Sequence, residues 1–393
     1  MKKILSINSH ASYSTGGIIK LLENGMKDDF IFYRATPEES DPKNFLISGK
    51  YFSRQLGKVF SQLNGSDGFR YKKETKKLIK WIDEIKPDLI HIHNLHGYYI
   101  NAELLLNYIN SKHIPVIYTM HDCWTFTGRC AVFDAVKCEK WKSGCGRCPY
   151  KKQYPLTRLF DSSKKQWLTK KELLTNHSYH YVTPSKWLKD LAMESFLANE
   201  DIRVINNAID YDLFASNYEG YKLQEDIDPN KKIILSVAYP FTKQKGLDDF
   251  NKLQSLIDKD QYQIVLIGIT DEYKTVPGII RVSPIKDKKL LAYYYSKSYA
   301  FMFFTQQDNY PTVLLEASAS GLPIISYDVG GCKEIVNDKV TGYIIKKNDV
   351  EEAKKHLDLI KDINKENCKK EAQKHKISEF VEQYKSLYKS ILK

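Results

Sequence analysis

The clearest chemistry lies in "QQDNYPTVLLEASASGLPIISYDVGG" (306–331), where Asp308 and Glu316 flank "NYPTVLL". Thr312 and Val313 fall near the start of a predicted helix, where backbone N–H groups hold a phosphate. Glu316 lies about one turn in, and its carboxylate can accept two sugar hydroxyls. A generic helix start with an exposed acid is the bland alternative, and the rest of the pattern disfavours it. "AYPFTKQKGL" (238–247) places Lys243, Gln244 and Lys245 before Gly246, on a loop leading into another helix. Cations there suit a phosphate. An ordinary surface loop is the alternative, since lysines abound in this chain.

Three further groups stand in the first half. "YSTGGIIKLLENGM" follows the first apolar run, and Gly16 and Gly17 are expected to open a helix and let a ligand approach the backbone. "YTMHDCW" sets His121 and Asp122 at the end of a predicted buried strand, His121 to hydrogen-bond a substrate and Asp122 to orient it, or both as a strand-end cap. "HIHNLH" (91–96) invites a metal reading, but alternation sends His91 and His93 to one face. His96 falls past the strand and no acidic partner is expected nearby, so satisfied core or cleft histidines are expected.

Five of the seven cysteines lie between His121 and Tyr150. Cys145 and Cys148 form a C-x2-C half-site, and Cys130 and Cys138 can complete a structural zinc tetrad that clips an irregular loop. Reduced, unliganded thiols and disulfides remain as alternatives. Cys123 follows His121-Asp122 directly and is assigned to the strand end instead.

The elements that must hold these residues alternate. Apolar runs at 3–7, 88–93, 115–121, 180–185 and 202–206, and again at 231–238, 262–268, 299–304 and 323–328, are separated by helical patterns. This predicts an α/β fold with parallel sheets. At 393 residues, two domains are expected. The polar stretch 206–232 is the expected break. The reading is a domain over 1–210 with a cysteine-rich insertion at about 123–155, a second over 211–376, and a C-terminal helix over 377–393 returning to the first. Two doubly wound domains would put their strand ends around one cleft.

Net charge is +12. That suits a solvated lysine-rich surface or an anionic partner. The densest basic segment, Arg70 to Lys86, is predicted to be an amphipathic helix with Leu78, Trp81, Ile82 and Ile85 on one face, packed on its own domain or lying on a membrane. The N-terminal run is too short for a signal peptide, and no run reaches the ~18–20 apolar residues of a spanning helix. A cytoplasmic place is expected, with reduced thiols.

"DNYPTVLLEASASGLPIISYDVGG" resembles the E-x7-E signature of glycosyltransferase family 4. The glycine loop, His121-Asp122, "VTPSKWL", "VINNAIDYDLF" and the KG loop follow in the same order over nearly the whole chain. The resemblance implies the GT-B fold of two Rossmann-like domains facing a deep cleft. It implies retaining transfer from a nucleotide-sugar, with no metal in the chemistry. It also implies catalytic roles for His121, Lys245, Asp308 and Glu316. Donor contacts would come from Gly16, Gly17, Lys243, Gln244, Asn309, Tyr310, Pro311, Thr312, Val313 and Glu316. Asp308 departs from the family's usual Glu, and Gln244 stands where Arg is frequent. A subgroup in exopolysaccharide and lipopolysaccharide assembly is similar in its cysteine insertion, which implies acceptor recognition; "WTFTG" then offers aromatic surface for a sugar, or core.

The expected partners are a UDP- or GDP-sugar, a saccharide or lipid-linked acceptor, and an anionic membrane face at the inner side of the plasma membrane. Nucleic acid is not expected. An epimerase or phosphorylase of the same fold is the alternative enzyme. A zinc-clipped nucleic-acid binder would explain the charge and cysteines but not the second half.

Overall fold

A computed structural model describes residues 1–11, 13–38, 43–47, 51–132, 138–152 and 154–393. The chain divides into two compact units: residues 1–205 with 381–393, and residues 206–380.

The first unit is built on seven parallel strands: β1 (Lys2–Ile7), β2 (Phe30–Thr36), β3 (Asn44–Leu46), β4 (Leu89–Ile92), β5 (Val116–Thr119), β6 (Tyr179–Thr183) and β7 (Ile202–Val204). Their order is β3-β2-β1-β4-β5-β6-β7, so the winding reverses between β1 and β4. Its helices are α1 (Tyr13–Met26), α2 (Tyr51–Asn64), α3 (Lys72–Ile85), α4 (Ala102–Lys112), α5 (Lys140–Ser143), α6 (Ser163–Leu174) and α7 (Lys186–Met193). β4 and β5 are buried along their whole length, as expected of strands covered on both faces. Side-chain caps fix helix starts: Asn101 accepts from Leu104 N and Ser185 from Leu188 N.

The second unit contains α8 (Tyr211–Ala215), β8 (Lys232–Val237), α9 (Leu247–Leu256), β9 (Tyr262–Ile267), β10 (Ile279–Val282), α10 (Lys288–Lys297), β11 (Ala300–Phe303), α11 (Thr312–Ala319), β12 (Ile324–Tyr327), β13 (Gly342–Ile345), α12 (Val350–Leu359) and α13 (Lys365–Gln373). The parallel sheet runs β10-β9-β8-β11-β12-β13, with its reversal between β8 and β11. The last helix, α14 (Ile377–Ile391), ends in the first unit. There Tyr388 OH lies 2.6 Å from His91 Nδ1 and Tyr384 OH 2.9 Å from Thr119 Oγ1.

The expected α/β fold with parallel sheets is present. Four strands were not read from the sequence: β2, β3, β10 and β13. Three of them form sheet edges and have only three or four residues, so they lack the long apolar run of a central strand. Helix α1 begins at Tyr13, so Gly16 and Gly17 lie in its first turns instead of opening it.

The apolar face of α3 packs inward. Leu78 and Ile82 are buried, and Trp81 stacks on Phe45 with ring centroids 5.2 Å apart. Of the two places offered for that face, its own domain takes it, while Lys72, Lys73, Lys76, Lys77 and Lys80 remain outside. No helix among the described residues is long and apolar enough to cross a membrane.

Candidate active site

In the second unit, the loops after β8 and β11 meet at the point where the winding reverses, the place where open α/β sheets bind ligands. Lys243–Lys245 form one 3-10 turn, closed by Gly246 in the left-handed region (φ 87°). A Cβ at Gly246 would stand 2.5 Å from the Phe304 carbonyl oxygen, so only glycine fits. The Gln244 carbonyl accepts from Gln306 N at 2.8 Å and ties the turn to the end of β11. The Lys245 ammonium lies 2.7 Å from Asp308 Oδ2. Burial works against that charge, but Asp308 outweighs it and holds Lys245 above the usual lysine range. Lys243 instead points outward and pairs with Asp248 at 3.1 Å.

Asp308 is fixed through its backbone. Gly331 N donates to its carbonyl at 3.3 Å. Gly330 (φ 54°) lies so close that a Cβ there would be 1.7 Å from the same oxygen. The glycine pair of "YDVGG" therefore holds the chain of Asp308. Asn309 is half-buried; Tyr310 is buried and its carbonyl accepts from Asn207 Nδ2 at 3.0 Å. Pro311 is the N-cap of α11, and Thr312 and Val313 are its first two residues, whose N–H groups have no carbonyl a turn earlier in the helix. Glu316 Oε2 accepts from Tyr295 OH at 3.0 Å. Burial pushes the Glu316 carboxyl up to about 7, against the pull of that bond and of Lys288. Tyr295, on α10, carries no motif of its own and was invisible in the sequence.

In the first unit, Gly16 packs on the preceding loop: a Cβ there would come 2.6 Å from the Ala11 carbonyl carbon. Gly17 has open space, with nothing within 4 Å of its Cβ position. His121 lies just past β5. Its Nε2 is 2.9 Å from His93 Nδ1, and the two rings stack. Burial holds His121 down, to about 4, with Asp122 opposing and His96 adding to the shift. It is therefore a neutral imidazole at physiological pH. His91 and His93 share a face, with centroids 4.1 Å apart. His91 is a satisfied core residue bonded to Tyr388 and Thr119.

One expectation needs correction here. Asp122 also holds a residue outside its own segment: its Oδ2 lies 2.8 Å from His96 Nε2, and its Oδ1 accepts from Trp124 N. His96 thus has an acidic partner that is 26 residues away in sequence and became visible only once β4 and β5 paired. Burial alone would lower the His96 imidazole, but Asp122 raises it overall. Asp67, also unread, is buried and accepts from Gly97 N and Tyr98 N at 3.1 and 2.7 Å.

Trp124 and Phe126, left open between sugar platform and core, are core, with 1% and 0% exposure. The Lys170 ammonium is itself buried and sits 3.9 Å from the centre of the Trp124 ring. None of the seven cysteines is in a disulfide. Cys130, Cys138, Cys145 and Cys148 line one cavity. Among the described residues, no group of three or more His, Cys, Asp or Glu is arranged to hold a metal as it stands. Cys123 lies outside the group, buried, with its N–H on the Ala131 carbonyl.

The profile of "Glycosyltransferase Family 4" matches residues 32–213, and that of "Glycosyl transferases group 1" matches residues 218–375. WcaC of Escherichia coli K12, named as a colanic acid biosynthesis glycosyl transferase, is 26% identical over 64% of this chain and 62% of its own length. A 41.2 kDa protein of the cps region of Klebsiella pneumoniae is 23% identical over 95% of this chain and 97% of its own. Among solved structures, sucrose-phosphate synthase of Thermosynechococcus elongatus aligns with a TM-score of 0.74 at 15% identity, covering 100% of this chain and 99% of that one. Anabaena HepE, solved with UDP, aligns with a TM-score of 0.67 at 12% identity over 99% and 100%. These likenesses show the GT-B fold. With the two profiles together running from residue 32 to residue 375, the chain belongs to glycosyltransferase family 4 and is a glycosyltransferase.

Proposed function

We propose that the chain transfers a sugar from a UDP- or GDP-sugar to a saccharide or lipid-linked saccharide, with retention at the anomeric carbon, in surface polysaccharide synthesis. The observation that carries the reading is the Lys245–Asp308 pair at 2.7 Å, in the unit whose α11 begins with Thr312 and Val313. The bond from the sugar's anomeric carbon to the diphosphate breaks and one to the acceptor oxygen forms. The acceptor's proton leaves with the nucleoside diphosphate. Charge growing on that diphosphate is met by Lys245, helped by Gln244, and by the N–H groups of Thr312 and Val313, while Lys243 stays outward on Asp248. The reading gives this task to the protein's own groups and not to a metal ion.

Glu316 takes the ribose hydroxyls and Asp308 the transferred sugar. Asn309, Tyr310 and Pro311 shape the donor loop. His121, neutral and held by His93, contacts the sugar, and Gly16 and Gly17 admit the diphosphate and acceptor. The names of WcaC and the cps-region protein support a polysaccharide product, and HepE, solved with UDP and with UDP-glucose, supports a uridine donor first. The outward lysines of α3 support a place at an anionic, cytoplasmic membrane face.

A panel of nucleotide-sugars scored by thermal stabilisation identifies the donor, since a ligand of the folded state raises apparent stability. Lys245→Ala and Glu316→Ala should then abolish transfer with the fold intact. Near-wild-type turnover by either, or a product of inverted anomeric configuration, overturns the proposal.

A further inference from the structure

The transferase reading leaves the cysteine-rich segment without a task, yet the structure builds it with care. Cys130, Cys138, Cys145 and Cys148 converge on a cavity of about 20 Å³, room for about one water or small ion. Cys130 and Cys148 hydrogen-bond each other. Gly128 N donates to Cys145 Sγ at 3.1 Å, and Arg129 Nη1 lies 3.9 Å from Cys148 Sγ. Only glycine fits at 128, where a Cβ would be 2.7 Å from the Cys145 Cβ. The Cys145–Cys148 turn takes two positive φ angles, 149° at Gly146 and 48° at Arg147. Cys148 N is anchored on Asp161 Oδ2 at 2.7 Å, and Lys140 binds the carbonyls of Gly146 and Arg147 at 3.1 and 3.0 Å.

The charges give the second line of argument. Arg129 is 2% exposed, and its Nε and Nη2 have no hydrogen-bond partner. A guanidinium keeps its charge at any ordinary pH, and a buried charge is costly without a counter-charge. No carboxylate pairs with it among the described residues. Lys170, 1% exposed, reaches the same region, its ammonium on the Trp124 carbonyl. Arg129 and Lys170 thus lie buried beside the four cysteines, the first without a carboxylate partner among the described residues.

We propose that Cys130, Cys138, Cys145 and Cys148 bind one structural zinc ion, and that Arg129 and Lys170 neutralise the charge of the resulting tetrathiolate. The four S–H groups lose four protons to water as four zinc–sulfur bonds form. Four thiolates and one Zn²⁺ carry a net charge of −2, which the two cations bring to zero. The thiols as they stand are not in ligand geometry. Binding therefore draws the sulfurs to about 3.8 Å from one another, the spacing set by zinc–sulfur bonds of about 2.3 Å in a tetrahedron. Through Lys170 on Trp124, and Trp124 N on Asp122, the ion braces the strand end that carries His121.

The test is metal analysis of the full chain purified without chelator, followed by exchange with cobalt(II). The expected result is about one zinc per chain and, after exchange, the thiolate-to-cobalt absorption of a tetrahedral sulfur site. Cys145→Ser and Cys148→Ser should each hold less than half an equivalent, while Cys123→Ser and Cys368→Ser keep it. Should the serine variants fail to fold, chelator competition on the wild type still decides the matter, because zinc removal must lower its melting temperature. Lys170→Met should lose zinc about 10–100-fold more readily. Wild-type protein with four fast-reacting thiols, under half an equivalent of zinc and no cobalt spectrum overturns the site. Unchanged zinc retention in Lys170→Met overturns the charge balance. Neither readout uses transfer activity, so the site stands or falls apart from the transferase reading.

Discussion

Donor binding should titrate with Glu316. Its carboxyl is held up at about 7 because the side chain is buried at α11, and the Tyr295 hydroxyl only partly compensates. The ionised form is the one that accepts two ribose hydroxyls. If only that form binds, apparent affinity falls as pH drops below the pKa. With a pKa of about 7 the binding-competent fraction is about 0.9 at pH 8 and about 0.1 at pH 6. Donor affinity is then about tenfold weaker at pH 6, and about half a proton is released on binding at pH 7. Calorimetry in two buffers of different ionisation heat measures both. An intact nucleotide-sugar is the right probe, since a free nucleoside diphosphate has a terminal phosphate that titrates in the same range. Glu316→Gln should flatten the profile and remove the proton release. An affinity that does not change between pH 6 and 8, or a slope that survives in Glu316→Gln, refutes the assignment. The same shift has a stability consequence of defined sign. A raised carboxyl pKa costs nothing below about pH 4.5, and the cost grows as pH rises through about 7, reaching about 3 kcal/mol. Ligand-free Glu316→Gln should therefore melt higher than wild type at pH 8, with the gap closing below pH 5.

Gly246→Ala should lose most donor affinity and about 2 kcal/mol or more of stability, because the added Cβ meets the Phe304 carbonyl at a positive φ; denaturant unfolding and a thermal-shift titration check this. Tyr388→Phe removes the 2.6 Å partner of buried His91 and should cost about 1–3 kcal/mol in unfolding experiments while leaving nucleotide-sugar binding intact. Trp124→Ala should cost about 3–5 kcal/mol by leaving a cavity in the core; a small effect, read by the same unfolding experiment, would mean that the ring is not the packed residue described here.

The local part of the site was legible in the sequence because it depends on neighbours. Gly246 must follow Lys245 for the turn to close, and Thr312, Val313 and Glu316 take their places from one helix start. The long buried strands were legible for the same reason: β8, β9 and β11 are continuous apolar runs. Short edge strands such as β3 and β10 were not, since three or four residues, partly covered, carry no period.

Tertiary structure alone decided the partners. His96 found Asp122, His121 found His93, and Glu316 found Tyr295, each across more than twenty residues. Strand order places such side chains together, and no local pattern encodes strand order. It also decided which aromatic rings were walls: Trp124 and Phe126 look like any exposed platform in the sequence, and the packing of Phe69, His96 and Lys170 on the first and of Trp141 on the second makes them core. The sequence determined which chemical groups the chain owns and the turns that present them. The fold determined their charge, because burial and distant neighbours set the ionisation of Glu316, His121 and Lys245.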